Sequence, residues 1–422
     1  MRHDRPLATS GLILALIGCA GGNTTPTPPA TKTIAGIAIT GQPVKVFDHT
    51  TDQQSPNNIP DAQTTAWKES DGTVNLMIAA SDAYRMRGPD FAHLVIDPHI
   101  IYSSDASAGQ TLENLDNYAH WLMGPYSLDG QTFYSITHSE WYACLLDNDC
   151  SANGYVSQGN SWVASSNAFV SHDGGASWQL NTAGGTHIAF DPGYHWTGTL
   201  AFQDTIWAYA DNHTGTFQPT RVIHEGAYFY CIAFYIHRDF TQINPSQGVY
   251  GAPVDATGYV LLRTADITSA AGWQAWTGGS TFQPVANAQF QTFSPQQNGS
   301  PLSAAPPQII YDTTAKQYIL IFTLFGGSNP VYYMTTTSLA TPSWSDAVTI
   351  GGTAGLVTDP AGNIVGFNDG NYTSIIDATS PGYNFEYTGG SPMLFYSTFP
   401  ANYGGDNIAR DLYRVQLSIT YR

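Results

Sequence analysis

Cations are scarce in this sequence. Its 422 residues hold only 14 lysines and arginines against 32 aspartates and glutamates, charged residues make up 11% of the chain, and the net charge is -18. Such a surface repels phosphate backbones, so nucleic acid is excluded as a partner. Amphipathic helical periodicity is nearly absent, which argues against helical folds. Cysteine is limited to 4 residues, no Cys/His spacing resembles a zinc site, and no glycine-rich loop for phosphates follows a strand. No cofactor is expected, with a structural calcium ion as the one exception left open.

A long apolar run is missing too. Residues 1–19 place Arg2 and Arg5 ahead of an apolar run at 12–17 that is too short to span a bilayer, and they end in Leu16-Ile17-Gly18-Cys19. Charge, apolar run and cysteine in that order look like a bacterial lipoprotein signal, with Cys19 as the lipidated first residue after cleavage. Residues 20–33, rich in proline and threonine, have no apolar pattern and read as an extended tether. Residues 34–422 contain no further linker of this kind and read as one domain. The expectation is an exported, lipid-anchored monomer of the bacterial cell envelope. In an oxidising compartment Cys144 and Cys150, separated by Leu-Leu-Asp-Asn-Asp, are expected to form a local disulfide. Cys231, inside the run Tyr228-Phe229-Tyr230-Cys231-Ile232-Ala233-Phe234, is expected as a buried free thiol.

What the chain has in quantity is aromatic and turn-forming residues: 13% Phe, Trp and Tyr, with 41 glycines and 25 prolines. Short Val/Ile/Tyr/Phe/Thr runs alternate with Gly, Pro, Asn and Asp turns, which points to an all-β fold. A unit of incoming strand, polar turn and aromatic-rich outgoing strand recurs over 61–80, 117–137, 219–234, 306–324 and 372–399. Five copies imply a five-bladed β-propeller, and a blade-like turn at 358–362 leaves six blades open. Residues 171–178 fit the Asp-box pattern Ser-x-Asp-x-Gly-x-Ser/Thr-Trp, a hairpin turn on the rim of propeller blades. Ring closure is expected from 37–40 or 44–47 pairing with 412–420, which would remove an exposed edge.

Both ends of a two-strand hairpin lie opposite its turn. Asp61, Asp82, Asn117, His138 and Glu140 are therefore expected on one rim, at the mouth of the central funnel. Two carboxylates across a pocket are the minimum apparatus for glycoside hydrolysis, one donating a proton to the leaving oxygen and the other activating water or attacking the anomeric carbon. Glu140, between His138 and Trp141 at the end of an apolar strand, suits the acid because desolvation favours its protonated form. Asp61, preceded by Pro60, suits the base. The plainer alternatives are a rim salt bridge for Glu140 and a strand-start cap for Asp61. Arg85 and Arg87 are the densest cationic spot and would bind a substrate carboxylate or steady a catalytic one, unless they belong to a plain solvated loop. Asn117, His120 and Trp121 offer hydrogen bonds and a stacking face for a sugar, or else a packed strand pair. Asp173 of the Asp box is discounted, since its side chain is expected to bond backbone amides within its turn.

The succession Pro60-Asp61-Ala62, Tyr84-Arg85-Met86-Arg87-Gly88-Pro89, Pro125-Tyr126-Ser127-Leu128-Asp129-Gly130, His138-Ser139-Glu140-Trp141, the Asp box, and Tyr372-Thr373-Ser374-Ile375-Ile376-Asp377 with Asn384-Phe385 resembles a group of secreted bacterial propeller proteins. These are similar to the five-bladed glycoside hydrolases that include arabinanases, xylosidases and fructosidases, and the resemblance covers most of 60–400. It implies an Asp base at the start of the first blade, which Asp61 matches. It also implies a second-blade Asp that tunes the acid and a Glu acid on a later blade. Here Asn117 stands at the second-blade position, and Glu140 lies on that same blade. The Asp box also resembles sialidases, whose arginine clamp would be sought among Arg85, Arg87, Arg221, Arg238 and Arg410, but their Tyr-Glu nucleophile pair has no counterpart. The expected function is hydrolysis of a polysaccharide or oligosaccharide by Glu140 and Asp61. The alternatives are a non-catalytic glycan-binding lipoprotein and a polysaccharide lyase using His138 with Arg85 or Arg87.

Overall fold

A computed structural model describes residues 32–104, 120–141, 163–186, 188–190, 214–239, 242, 247, 253–285, 291–324, 330–352, 372–398 and 409–422. The expectations for Cys19, Asn117, the Cys144–Cys150 disulfide and the turn at 358–362 fall outside the described residues.

No α-helix occurs among the described residues, and the strands follow one another mainly as antiparallel meanders, which make up sheets I–V; a parallel pairing of Val163-Ala164 with Thr214-Gly215 joins II to III, and Tyr311-Asp312 pairs in parallel with Tyr387-Thr388. Sheet I runs Ala66–Lys68, Val74–Ile78, Asp82–Gly88, Val95–Ile96. Sheet II runs His120–Trp121, Phe133–Trp141 and Val163–Ser171, with Gln179–Leu180 and Ile188–Phe190 on its outer side. In sheet III, Thr214–Phe217 and Ile223–Glu225 both pair with Tyr228–Arg238, followed by Val254–Thr264 and Gln274–Gly278. Sheet IV runs Gln308–Asp312, Gln317–Phe322, Tyr332–Thr336, Val348–Thr349. Sheet V runs Ser374–Ile376, Met393–Thr398 and Asp411–Tyr421 and is completed by Ile34–Ile39 from the start of the domain. Val44–Phe47 pairs with that last strand as well, so both N-terminal segments close the ring.

The strand sequences show how the sheets pack. Val74–Ile78 and Gln317–Phe322 are nearly continuous apolar runs because both of their faces are covered. Asp411–Tyr421 alternates, turning Tyr413, Val415, Leu417 and Ile419 inward and Arg414, Gln416 and Ser418 outward. Hydrophobic clusters fill the spaces between consecutive sheets. Trp67 and Phe133 join I to II, Phe190 and Cys231 join II to III, and Phe234 and Phe322 join III to IV. Ile321 and Leu394 join IV to V, and Phe395 and Leu76 join V back to I. That closed circuit of cores is a β-propeller. From sheet III the buried Arg221 reaches sheet V, donating to the carbonyl of Ile375 in its first strand and to that of Phe385. The turn at Gly130 leaves no room for a side chain: its φ is +74°, and a Cβ would meet the Tyr383 ring at 2.5 Å.

Candidate functional site

Asp61 stands at the head of sheet I, its N–H donating to the Ala79 carbonyl at 3.0 Å. Two other sheets supply the partners of its carboxylate. Trp121 of sheet II donates its indole N–H to Oδ2 at 3.2 Å, and the Tyr372 hydroxyl of sheet V donates to Oδ1 at 3.2 Å. Arg410, just ahead of the last strand of sheet V, forms an ion pair with Oδ1. From sheet III, the Gln218 amide nitrogen lies 3.5 Å from the Asp61 carbonyl oxygen.

The period of two along Phe133–Trp141 puts His138 and Glu140 on one face, and the register pairs His138 with Trp121. His138 Nε2 is 2.9 Å from Glu140 Oε1. The imidazole lies 5.1 Å from the Trp121 ring and 5.9 Å from Phe217 of sheet III, nearly parallel to the latter at 23°. Trp121 therefore links the two carboxylates, with its N–H on Asp61 and its ring against the imidazole that holds Glu140. Glu140 is buried, and Asp61 keeps 22% of its side chain exposed.

The electrostatics follow from this packing. Burial works against the charge of Arg410, but the Asp61 carboxylate outweighs it and leaves the guanidinium pKa above its ordinary value. Burial, reinforced by the Asp61 charge, also pushes the Tyr372 hydroxyl well above the usual phenol range, while Arg410 pulls the other way.

The other expected residues lie elsewhere. His120 points to the opposite face from Trp121, with Nδ1 2.5 Å from Ser139 Oγ and its ring against Tyr102 and Phe169 in the core between sheets I and II. Asp82 accepts from the hydroxyls of Ser55 and Ser103. Arg85 and Arg87 lie toward the end of sheet I away from Asp61, because Arg87 pairs with Asn75 beside the turn at 69–73. There Arg85 reaches Asp97 Oδ2 at 3.1 Å and the Gly174 carbonyl at 3.4 Å, and Arg87 reaches Glu69 Oε1 at 2.8 Å. Arg85 thereby fastens the Asp-box turn to sheet I, and Arg87 braces the turn at 69–73. Within that turn Asp173 accepts the Ser177 N–H at 2.9 Å and hydroxyl at 2.6 Å. Cys231 is a free, buried thiol.

A cluster of Asp48, His49 and Asp411 has the donor types of a metal site. Lys45 Nζ already stands there, 3.0 Å from Asp48 and 2.8 Å from Asp411. Three residues of the Asp61 site were not assigned to it by the sequence reading: Tyr372, Arg410 and Gln218. Tyr372 opens the fifth repeat copy as Asp61 opens the first, whereas Gln218 stands one residue ahead of the third, which begins at Pro219. Matching the first positions of the copies points to Tyr372 and not to Gln218.

No protein-family model matches the sequence, and no curated protein is similar to it by sequence. Among solved structures, the catalytic domain of a GH62 α-L-arabinofuranosidase from Coprinopsis cinerea is similar at a TM-score of 0.43 and 11% identity, over 91% of this chain and 98% of that one. An endo-1,5-α-L-arabinanase from Thermotoga petrophila reaches a TM-score of 0.46 at 11% identity, over 86% of this chain and 71% of that one. A glycosyl hydrolase from Bacteroides ovatus reaches 0.45 at 7% identity, over 90% and 93%. At these TM-scores the fold assignment stands on the strand pairing and the inter-sheet cores themselves.

Proposed function

We propose that the chain is an exported, lipid-anchored glycoside hydrolase on a five-bladed propeller, acting on an uncharged polysaccharide or oligosaccharide. Support comes from two carboxylates of neighbouring sheets, Asp61 and Glu140, at one end of the ring and joined through Trp121 and His138. In this reading protonated Glu140 delivers its proton to the glycosidic oxygen as the anomeric C–O bond breaks. Asp61 takes a proton from the water that attacks the anomeric carbon. His138 orients Glu140, while Tyr372 and Arg410 hold Asp61.

The cations favour an uncharged substrate. Apart from Arg2 and Arg5, every lysine and arginine of the chain lies in the described residues. Lys45, Arg85, Arg87 and Arg410 are paired with acids. Lys32, Lys68 and Arg263 lie over aromatic rings. Arg221 donates to the Ile375 and Phe385 carbonyls, Arg414 and Arg422 bond Met393 and Thr33, and Lys316 sits in the far turn of sheet IV. Arg238 is engaged as well. At the Asp61 end of the ring a uronate or sialate carboxylate would meet no uncommitted cation among the described residues, on a chain of net charge -18.

Reducing-sugar release by the purified protein from arabinans, xylans and fructans, beside uronate polymers, tests the reading. Release from an uncharged polymer that is lost in Glu140→Gln and Asp61→Asn is the expected result. Glycan binding without release, equal in all three proteins, would point to a binding lipoprotein. An ultraviolet-absorbing unsaturated product would point to a lyase.

A further inference from the structure

Gln218 has a backbone conformation that its sequence opposes. Its φ is +42°, in the left-handed region that favours glycine, and Pro219 after it further restricts the residue to extended conformations. Its side chain is buried, and Oε1 has no hydrogen-bond partner among the described residues. The amide nitrogen points to the Asp61 carbonyl at 3.5 Å. A strained backbone and an unsatisfied buried acceptor both cost stability, and surrounding structure tolerates such a pair where function requires it.

We infer that Gln218 is a positioning residue for Asp61, its left-handed turn aiming its amide across the ring at the Asp61 backbone carbonyl. This rests on the hydrolase reading above. With the amide in place, the Asp61 backbone is fixed from sheet III while its carboxylate is held from sheets II and V, and displacement by even about 1 Å is enough to slow chemistry by ~10²-fold.

The test is steady-state kinetics on the best uncharged glycan, together with thermal unfolding, for wild type, Gln218→Gly, Gln218→Asn and Gln218→Glu. Glycine and asparagine accept positive φ, so both variants should melt at or above the wild-type temperature while kcat falls by about 10- to 100-fold and KM stays within about 2-fold. Gln218→Glu keeps the shape, loses the donor, and should show the same loss in kcat. Unchanged kcat in Gln218→Gly and Gln218→Asn overturns the inference and leaves the hydrolase reading standing. So does a fall in melting temperature that accounts for the lost activity, which would make Gln218 a purely structural residue. A wild type inactive on every polymer overturns the hydrolase reading, and this inference with it.

Discussion

Trp121 donates its indole N–H to Asp61 Oδ2 at 3.2 Å while its ring lies 5.1 Å from that of His138. One side chain thus sets the two carboxylates of the site relative to each other. Trp121→Phe keeps a ring against the imidazole and removes the donor. We expect kcat on the glycan to fall by about 10-fold and stability to change by no more than about 1.5 kcal/mol, the worth of one hydrogen bond. An unchanged kcat would mean that Asp61 needs no donor from sheet II.

The Arg410–Asp61 pair is largely sheltered, with 12% and 22% of the two side chains exposed. Removing one member of such a pair leaves the other charge uncompensated, so Arg410→Met should cost about 3 kcal/mol in urea unfolding. Asp61→Ala in the Arg410→Met background should recover part of that loss, a coupling of about 1 kcal/mol or more. Strict additivity of the two substitutions would show that the pair contributes nothing to stability.

Much of this arrangement was legible in the sequence because it depends on local chemistry. The turns at Asp71-Gly72, Asp129-Gly130 and Glu225-Gly226 carry glycines at φ of +93°, +74° and +64°, and the alternation on either side fixes the hairpins. Asp61 and Glu140 came from the same logic, as ends of hairpins. His120 and Trp121 show where that logic stops. Adjacent strand residues face opposite ways, and only the pairing of Trp121 with His138 decides which one meets the site. Arg85 and Arg87 drew notice as a charge cluster, although counting from the Asp71-Gly72 turn puts them toward the far end. Arg410 was hard to place because the segment before it has no repeat pattern. Gln218 was hidden because a residue before proline predicts an extended backbone.

Stability should also depend on pH through Glu386, a buried carboxyl beyond the site that accepts the His224 N–H at 3.0 Å. Burial raises its pKa above the ordinary value of 4.5, and the His224 N–H, the Asn384 and Tyr126 side chains and the Arg221 charge offset this only in part. A raised folded-state pKa means the native protein holds the proton longer than the unfolded chain. The associated stability is therefore full below about 4.5 and is lost as pH rises through the folded value. Glu386→Gln removes that dependence, so its melting temperature relative to wild type should climb as pH rises from about 4 to 7. A constant difference across the range would show that Glu386 titrates alike in both states.

The far end of sheet I should matter for folding and not for chemistry. Arg85 is buried, with Asp97 at 3.1 Å and the Gly174 carbonyl at 3.4 Å, and it ties the Asp-box turn to the first sheet. Arg85→Met keeps most of the aliphatic volume, removes the charge facing Asp97 and Glu69, and leaves the Gly174 carbonyl without that donor, so a loss of about 2–3 kcal/mol is expected in urea unfolding. At temperatures where the variant is folded, kcat and KM should stay within about 2-fold of wild type, because the arginine stands away from Asp61 and acts only on packing. A tenfold rise in KM with an intact fold would instead mean that 84–90 reaches the substrate, and the boundary of the site would have to be redrawn around sheet I.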